Sequence, residues 1–164
     1  MTFQQIQLLI NESVNDLYTY DFYLLEHDVH EQTISSTLAC YIRGRIARLC
    51  TSGQREWNVD AEYNRNGDSP KSLNGIGNVK PDIIIHKRGL NNPCGNEFNN
   101  LLIVEIKKNP SPDDMKGDLI KIQAFINDNP FRYCFGLFLG LNRERTKNTI
   151  EWRFRQDVTN DKRQ

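Results

Sequence analysis

Apolar side chains recur at helical spacing along the first third of the chain. Ile6, Ile10, Val14 and Leu17 fall at intervals of four, four and three, which predicts an amphipathic helix over about residues 3–18. The aromatic stretch from Tyr18 to Leu25 breaks that period and is expected to be a connector packed on the core. A longer stripe of Ile34, Leu38, Ile42, Ile46 and Leu49 predicts a second helix from about Val29 to Leu49. The period then changes to two. Trp57, Val59, Ala61 and Tyr63 alternate with Asn58, Asp60, Glu62 and Asn64, the pattern of a strand with one wet face. Arg65 to Val79 is rich in Gly, Asn, Ser and Pro and reads as a long loop, Pro81 to His86 as a short strand, and Leu90 to Asn100 as a second loop.

Leu101 to Lys107 is apolar on both faces until its end, as suits a central strand covered by helices. Ser111-Pro112-Asp113-Asp114 then supplies a cap, a proline at the first helical position, and acids against the positive end of the helix dipole. Met115, Leu119, Ile122 and Ile126 give that helix its stripe until Asn127 to Pro130 stop it. Phe131 to Leu141 and Thr149 to Phe154 are predicted strands, and the tail over 156–164 is polar. The order α-α-β-β-β-α-β-β implies an α/β fold with a mixed sheet, in which the helix between the third and fourth strands makes a crossover.

Composition narrows the class. A chain of 164 residues with 38% apolar and 26% charged side chains is long enough for one domain with its own core, and is unlike a disordered segment. Its longest apolar run, Cys134 to Leu141, is far short of the ~20 residues that cross a bilayer. No basic region precedes an apolar stretch at the N-terminus, so no membrane partner and a cytoplasmic location are expected. Cys40, Cys50, Cys94 and Cys134 have no CxxC or zinc-ligand spacing and are expected to be free thiols, with Cys40 and Cys134 in apolar settings.

Charge changes the picture through its distribution. Lys and Arg number 21 and so do Asp and Glu, but residues 1–42 hold no Lys or Arg and six acids, Glu12, Asp16, Asp21, Glu26, Asp28 and Glu31. The remaining chain therefore carries a basic surplus of six, enough to bind phosphate locally where screening isolates the two flanks.

Several chemistries are excluded. There is no GxxxxGK[ST] and no GxSxG; Asn74-Gly75-Ile76-Gly77 lacks the helix that would make it a phosphate cradle; His30-Glu31 opens like HExxH but meets Ile34. What remains is a set of acids where apolar residues are expected. Glu105 and Lys107 share a strand face with Ile103, Asp82 opens its own apolar strand directly after Pro81, and Glu31 lies near the apolar stripe of its helix. Buried carboxylates need a partner or a metal. The plain alternatives are a surface ion pair for Glu105 and Lys107, a turn acceptor for Asp82, and a dipole-favoured helix start for Glu31. Asp60 and Glu62 share a strand face and are weaker candidates; His86 reads as structural and Lys108 as solvated.

Pro81-Asp82 followed by Glu105-Ile106-Lys107 resembles the PD-(D/E)XK nuclease superfamily, the restriction-endonuclease-like phosphodiesterases, over about residues 28–141. The resemblance implies a restriction-endonuclease-like αβββαβ core, with the first helix and last strand as additions. It implies a catalytic set of Asp82, Glu105 and Lys107, and a Mg2+ or Mn2+ ion held by Asp82, Glu105 and the Ile106 carbonyl. Glu31 would complete the metal shell, with Glu26 one turn earlier as its competitor. The substrate implied is nucleic acid, DNA first. Candidate groups for its backbone are Arg43, Arg45, Lys121 and Gln123, with Arg48, Lys87, Arg88, Arg143, Arg145 and Lys147 as further cations. A homodimer could serve to cut two strands. The competing expectation is a non-catalytic nucleic-acid- or protein-binding module that keeps the fold; another is an α/β domain whose acids are incidental.

Overall fold

A capping box opens the chain: the Thr2 hydroxyl accepts from Gln5 N–H, and the Gln5 side chain accepts from Thr2 N–H. From there the computed structural model describes residues 1–49, 57–66, 69–73, 75–88, 99–127 and 131–156. Three helices come first, α1 (Phe3–Tyr20), α2 (Phe22–Glu26) and α3 (Glu31–Leu49). The aromatic connector is thus largely helical, α1 running on to Tyr20 and α2 beginning two residues later.

Strand β1 (Asn58–Ala61) follows, then two small ladders, β2 (Arg65–Asn66) with β3 (Ser69–Pro70) and β4 (Ser72–Leu73) with β5 (Gly77–Asn78). The expected loop over 65–79 is therefore partly ordered into hairpins, and it is anchored by Leu73 and Val79 in the core. Next come β6 (Ile83–His86), β7 (Asn100–Lys108), α4 (Pro112–Asn127), β8 (Phe135–Leu141), a 3-10 turn at Arg145–Lys147, and β9 (Thr149–Phe154). Ser111 caps α4 as expected, its hydroxyl accepting from Asp114 N–H while the Asp114 carboxylate accepts from Ser111 N–H.

The main sheet has the order β1-β6-β7-β8-β9, antiparallel throughout except for the parallel pair β7–β8, which α4 connects. Helices lie on both faces. Ile83, Ile85, Leu102, Val104 and Ile106 pack towards α1 and α3, while Ile84, Ile103 and Phe138 pack towards Ile122, Phe125 and Ile126 of α4. This is a mixed α/β architecture with a five-stranded mixed sheet between helices. No helix among the described residues is long and apolar enough to cross a membrane. Of the cysteines, Cys134 is a buried thiol as expected, whereas Cys40 is an exposed thiol, because it falls on the outer side of α3. Cys50 and Cys94, most of the 90–100 loop and the tail from 157 lie outside the described residues.

Candidate functional site

Register brings the two expected strand acids together. Ile83 pairs with Val104 in the β6–β7 ladder, so Asp82 comes level with Glu105 one step further on. Alternation puts Asp82 with Ile84, and Glu105 with Ile103, on the face that α4 covers. Asp82 Oδ2 accepts the Ile106 N–H at 2.7 Å, which fixes its carboxylate at the strand end. Glu105 is 3% exposed, and its Oε2 accepts from the Lys121 ammonium at 3.2 Å.

The electrostatics follow from this crowding. Burial raises the Asp82 carboxyl to about 6, against the bond from Ile106 and the charge of Lys107. Burial, and next the charge of Asp82, raise Glu105 to about 8. Two carboxyls that resist ionising beside each other form a donor set that a hard cation fits, since it would relieve the repulsion with oxygen ligands alone. Among the described residues no three His, Cys, Asp or Glu side chains form a ready metal group. A cation here would rest on these two carboxylates, a backbone oxygen and water, which is the kind of shell magnesium accepts.

Lys107 reaches the same end of the sheet and is held there by Glu31, whose Oε2 accepts from the ammonium at 2.7 Å. Glu31 Oε1 accepts from the Lys108 N–H at 3.0 Å. Burial pulls the Lys107 ammonium down, but the hydrogen bond and charge of Glu31 outweigh it and leave it raised. Glu31, at the start of α3, thus meets the site through Lys107, with both oxygens engaged. Glu26 pairs with Arg143 instead of competing for this place.

One site residue was not anticipated. Asp118 of α4 is 4% exposed; its Oδ1 accepts from the Lys121 ammonium at 2.7 Å, and its buried Oδ2 has no hydrogen-bond partner. The signal was present, because Asp118 stands four residues before Ile122 and so falls within the buried stripe of α4. Lys121, a candidate for the nucleic-acid backbone, is here the cation of a buried carboxylate cluster; burial lowers its ammonium, and the charges and hydrogen bonds of Glu105 and Asp118 together more than restore it. Gln123 is about 200° round the helix from Lys121 and does not share its partners.

Other expectations are corrected by position. Arg43 and Arg45 lie about 18 and 21 Å along α3 from Glu31. Arg43 donates to the Val59 carbonyl at 2.8 Å, and Arg45 is paired with Glu12 and Asp16 of α1, so neither joins the carboxylates. Asp60 is not on a wet face: it is buried and takes His86 Nε2 at 2.8 Å together with the Arg88 guanidinium. Burial raises the Asp60 carboxyl, but the bonds from Arg88 and His86 outweigh it and hold it low. Glu62 lies just beyond β1 with φ of 51° and accepts from Gln32 and from Lys80, each at 2.6 Å. Lys108 is not free in solvent but donates to the carbonyls of Leu24 and His27.

Comparison with known proteins finds no matching family model, no matching curated protein and no matching solved structure. The reading of the site therefore rests on its own residues.

Proposed function

We propose that the protein is a divalent-metal-dependent phosphodiester hydrolase, a nuclease of the restriction-endonuclease-like kind, acting on nucleic acid with DNA as the first substrate to try. The observation that carries this reading is the convergence of Asp82 and Glu105 on one face and one end of adjacent strands, both pushed towards the neutral form, beside the Lys107 ammonium. The αβββαβ order with a single parallel pair beside the crossover helix agrees with it.

In this reading Asp82, Glu105 and the Ile106 carbonyl hold Mg2+ or Mn2+, which supplies Lewis-acid polarisation of a phosphoryl oxygen and a lowered pKa for water. Asp82 is kept in place by the Ile106 N–H. Glu31 is a positioning residue rather than a ligand: it holds Lys107 at the strand end. From there the ammonium orients the attacking water and stabilises negative charge on the phosphoryl oxygens. Water adds to phosphorus and gives up a proton to solvent, the P–O ester bond breaks, and the leaving oxygen takes a proton back from solvent.

Two measurements test this. Mn2+ or Mg2+ at millimolar concentration should raise the melting temperature, since it binds the native state only, and Asp82→Ala or Glu105→Ala should abolish the rise. The wild type should cleave plasmid or oligonucleotide DNA, and Lys107→Ala should lose at least about a hundredfold in rate while keeping the thermal shift. Metal binding without cleavage of any DNA or RNA form would overturn the enzyme reading and leave a binding module in its place.

A further inference from the structure

We propose that Lys121 is the resident counter-cation of the carboxylate site, and that Asp118 is the berth to which its ammonium withdraws when a divalent ion takes Glu105. The inference rests on the metal-site reading above and concerns how occupancy of that site is controlled. Lys121 Nζ bridges Glu105 Oε2 at 3.2 Å and Asp118 Oδ1 at 2.7 Å, so the ammonium already sits closer to the berth than to the ligand. Both carboxyls are nearly inaccessible, Glu105 at 3% and Asp118 at 4% exposure, and when no metal is bound the Lys121 ammonium between them stabilises their ionised forms.

The unpaired Asp118 Oδ2 gives the arrangement its second position. An ammonium has three N–H donors. On leaving Glu105 it can donate to this second oxygen, so withdrawal strands no donor and satisfies a buried acceptor that is otherwise orphaned. Asp118 and Lys121 are three residues apart on α4, so the exchange needs side-chain torsions and no movement of the helix. The nearby Lys107 is different: its ammonium belongs to Glu31 and can stay where it is when the carboxylates are occupied.

Isothermal titration with Mn2+ tests the exchange, using the full chain and variants whose folding is checked by their thermal melts. Lys121→Met keeps the stem and removes the competing charge, and should tighten Mn2+ binding about tenfold, the scale of one charge-assisted hydrogen bond. Asp118→Asn should weaken binding several-fold in the wild-type background and have no further effect in the Lys121→Met background, because the berth acts only through its occupant. Lys107→Met should change the affinity by less than about twofold. Lys121→Gln provides the same reading should the methionine variant melt early.

Independent effects of Asp118→Asn and Lys121→Met that simply add would overturn the berth and leave a general field effect. An unchanged affinity in Lys121→Met would overturn the competition itself. A wild-type chain that binds no Mn2+ would overturn the metal site, and this inference with it.

Discussion

Lys71 carries its ammonium into the interior at 4% exposure, over the Tyr63 ring at 4.7 Å and the Phe131 ring at 5.7 Å. Burial lowers it to about 8, against the charge of Asp60. Between that value and the ordinary lysine range the unfolded chain keeps a proton that the folded chain has released. Folding stability contributed by this residue therefore rises with pH through that window, and the cost of the buried charge is fully present below it. Lys71→Met should accordingly stabilise the protein at pH 7 by on the order of 1–2 kcal/mol, net of the lost ring contacts, with a gain that shrinks by pH 10; urea melts at the two pH values measure this. Asp82 and Glu105 are legible at this scale because strand alternation alone sets their faces. Asp118 is hidden because it is the polar member of a stripe that apolar residues define. Asp60 was hidden because its partners, His86 and Arg88, stand 26 and 28 residues away.

Helix α4 lies directly on β8, and Gly136 lets it do so. A Cβ at that position would clash with Ile122 Cγ2 and meet Ile126 Cδ1 at 3.0 Å, both in the helix stripe. Gly136→Ala should cost about 1–3 kcal/mol by overpacking. Because α4 also carries Asp118 and Lys121, the same variant should reduce the metal-induced thermal shift. Thermal melts with and without Mn2+ read both effects. The span of α4 and that of β9 agree with their sequence expectations, since a cap, a stop or a clean alternation marks their ends. The ladders between residues 65 and 78 are illegible because two-residue ladders are too short to show a period; backbone bonds from Lys71 to Asn64 and from Val79 to Lys71, with Leu73 and Val79 in the core, hold them. The α1–α2 break was missed for a related reason, because aromatic residues crowd both sides of Asp21.

For the molecule as a whole, the layered order of helices and mixed sheet follows from the alternation of periods along the chain. The meeting of Asp82, Glu105, Lys107 and Glu31 depends on register and chain return, which no local pattern contains. Many cations expected to meet nucleic acid are instead paired within the fold: Arg45 with Glu12 and Asp16, Arg88 with Asp60, Arg143 with Glu26, and Lys147 with Glu144. The acidic first quarter of the chain is thereby partly neutralised by the basic remainder. Its carboxylates nonetheless form a rival destination for any divalent ion, against which the sheet end must compete. Paramagnetic broadening of amide resonances during a substoichiometric Mn2+ titration tests this most directly. The amides of Asp82, Glu105, Ile106 and Asp118 should broaden first and together; broadening confined to the flank around Glu12, Asp16 and Glu26, with those four unaffected, would place the ion elsewhere and rule out the sheet-end site.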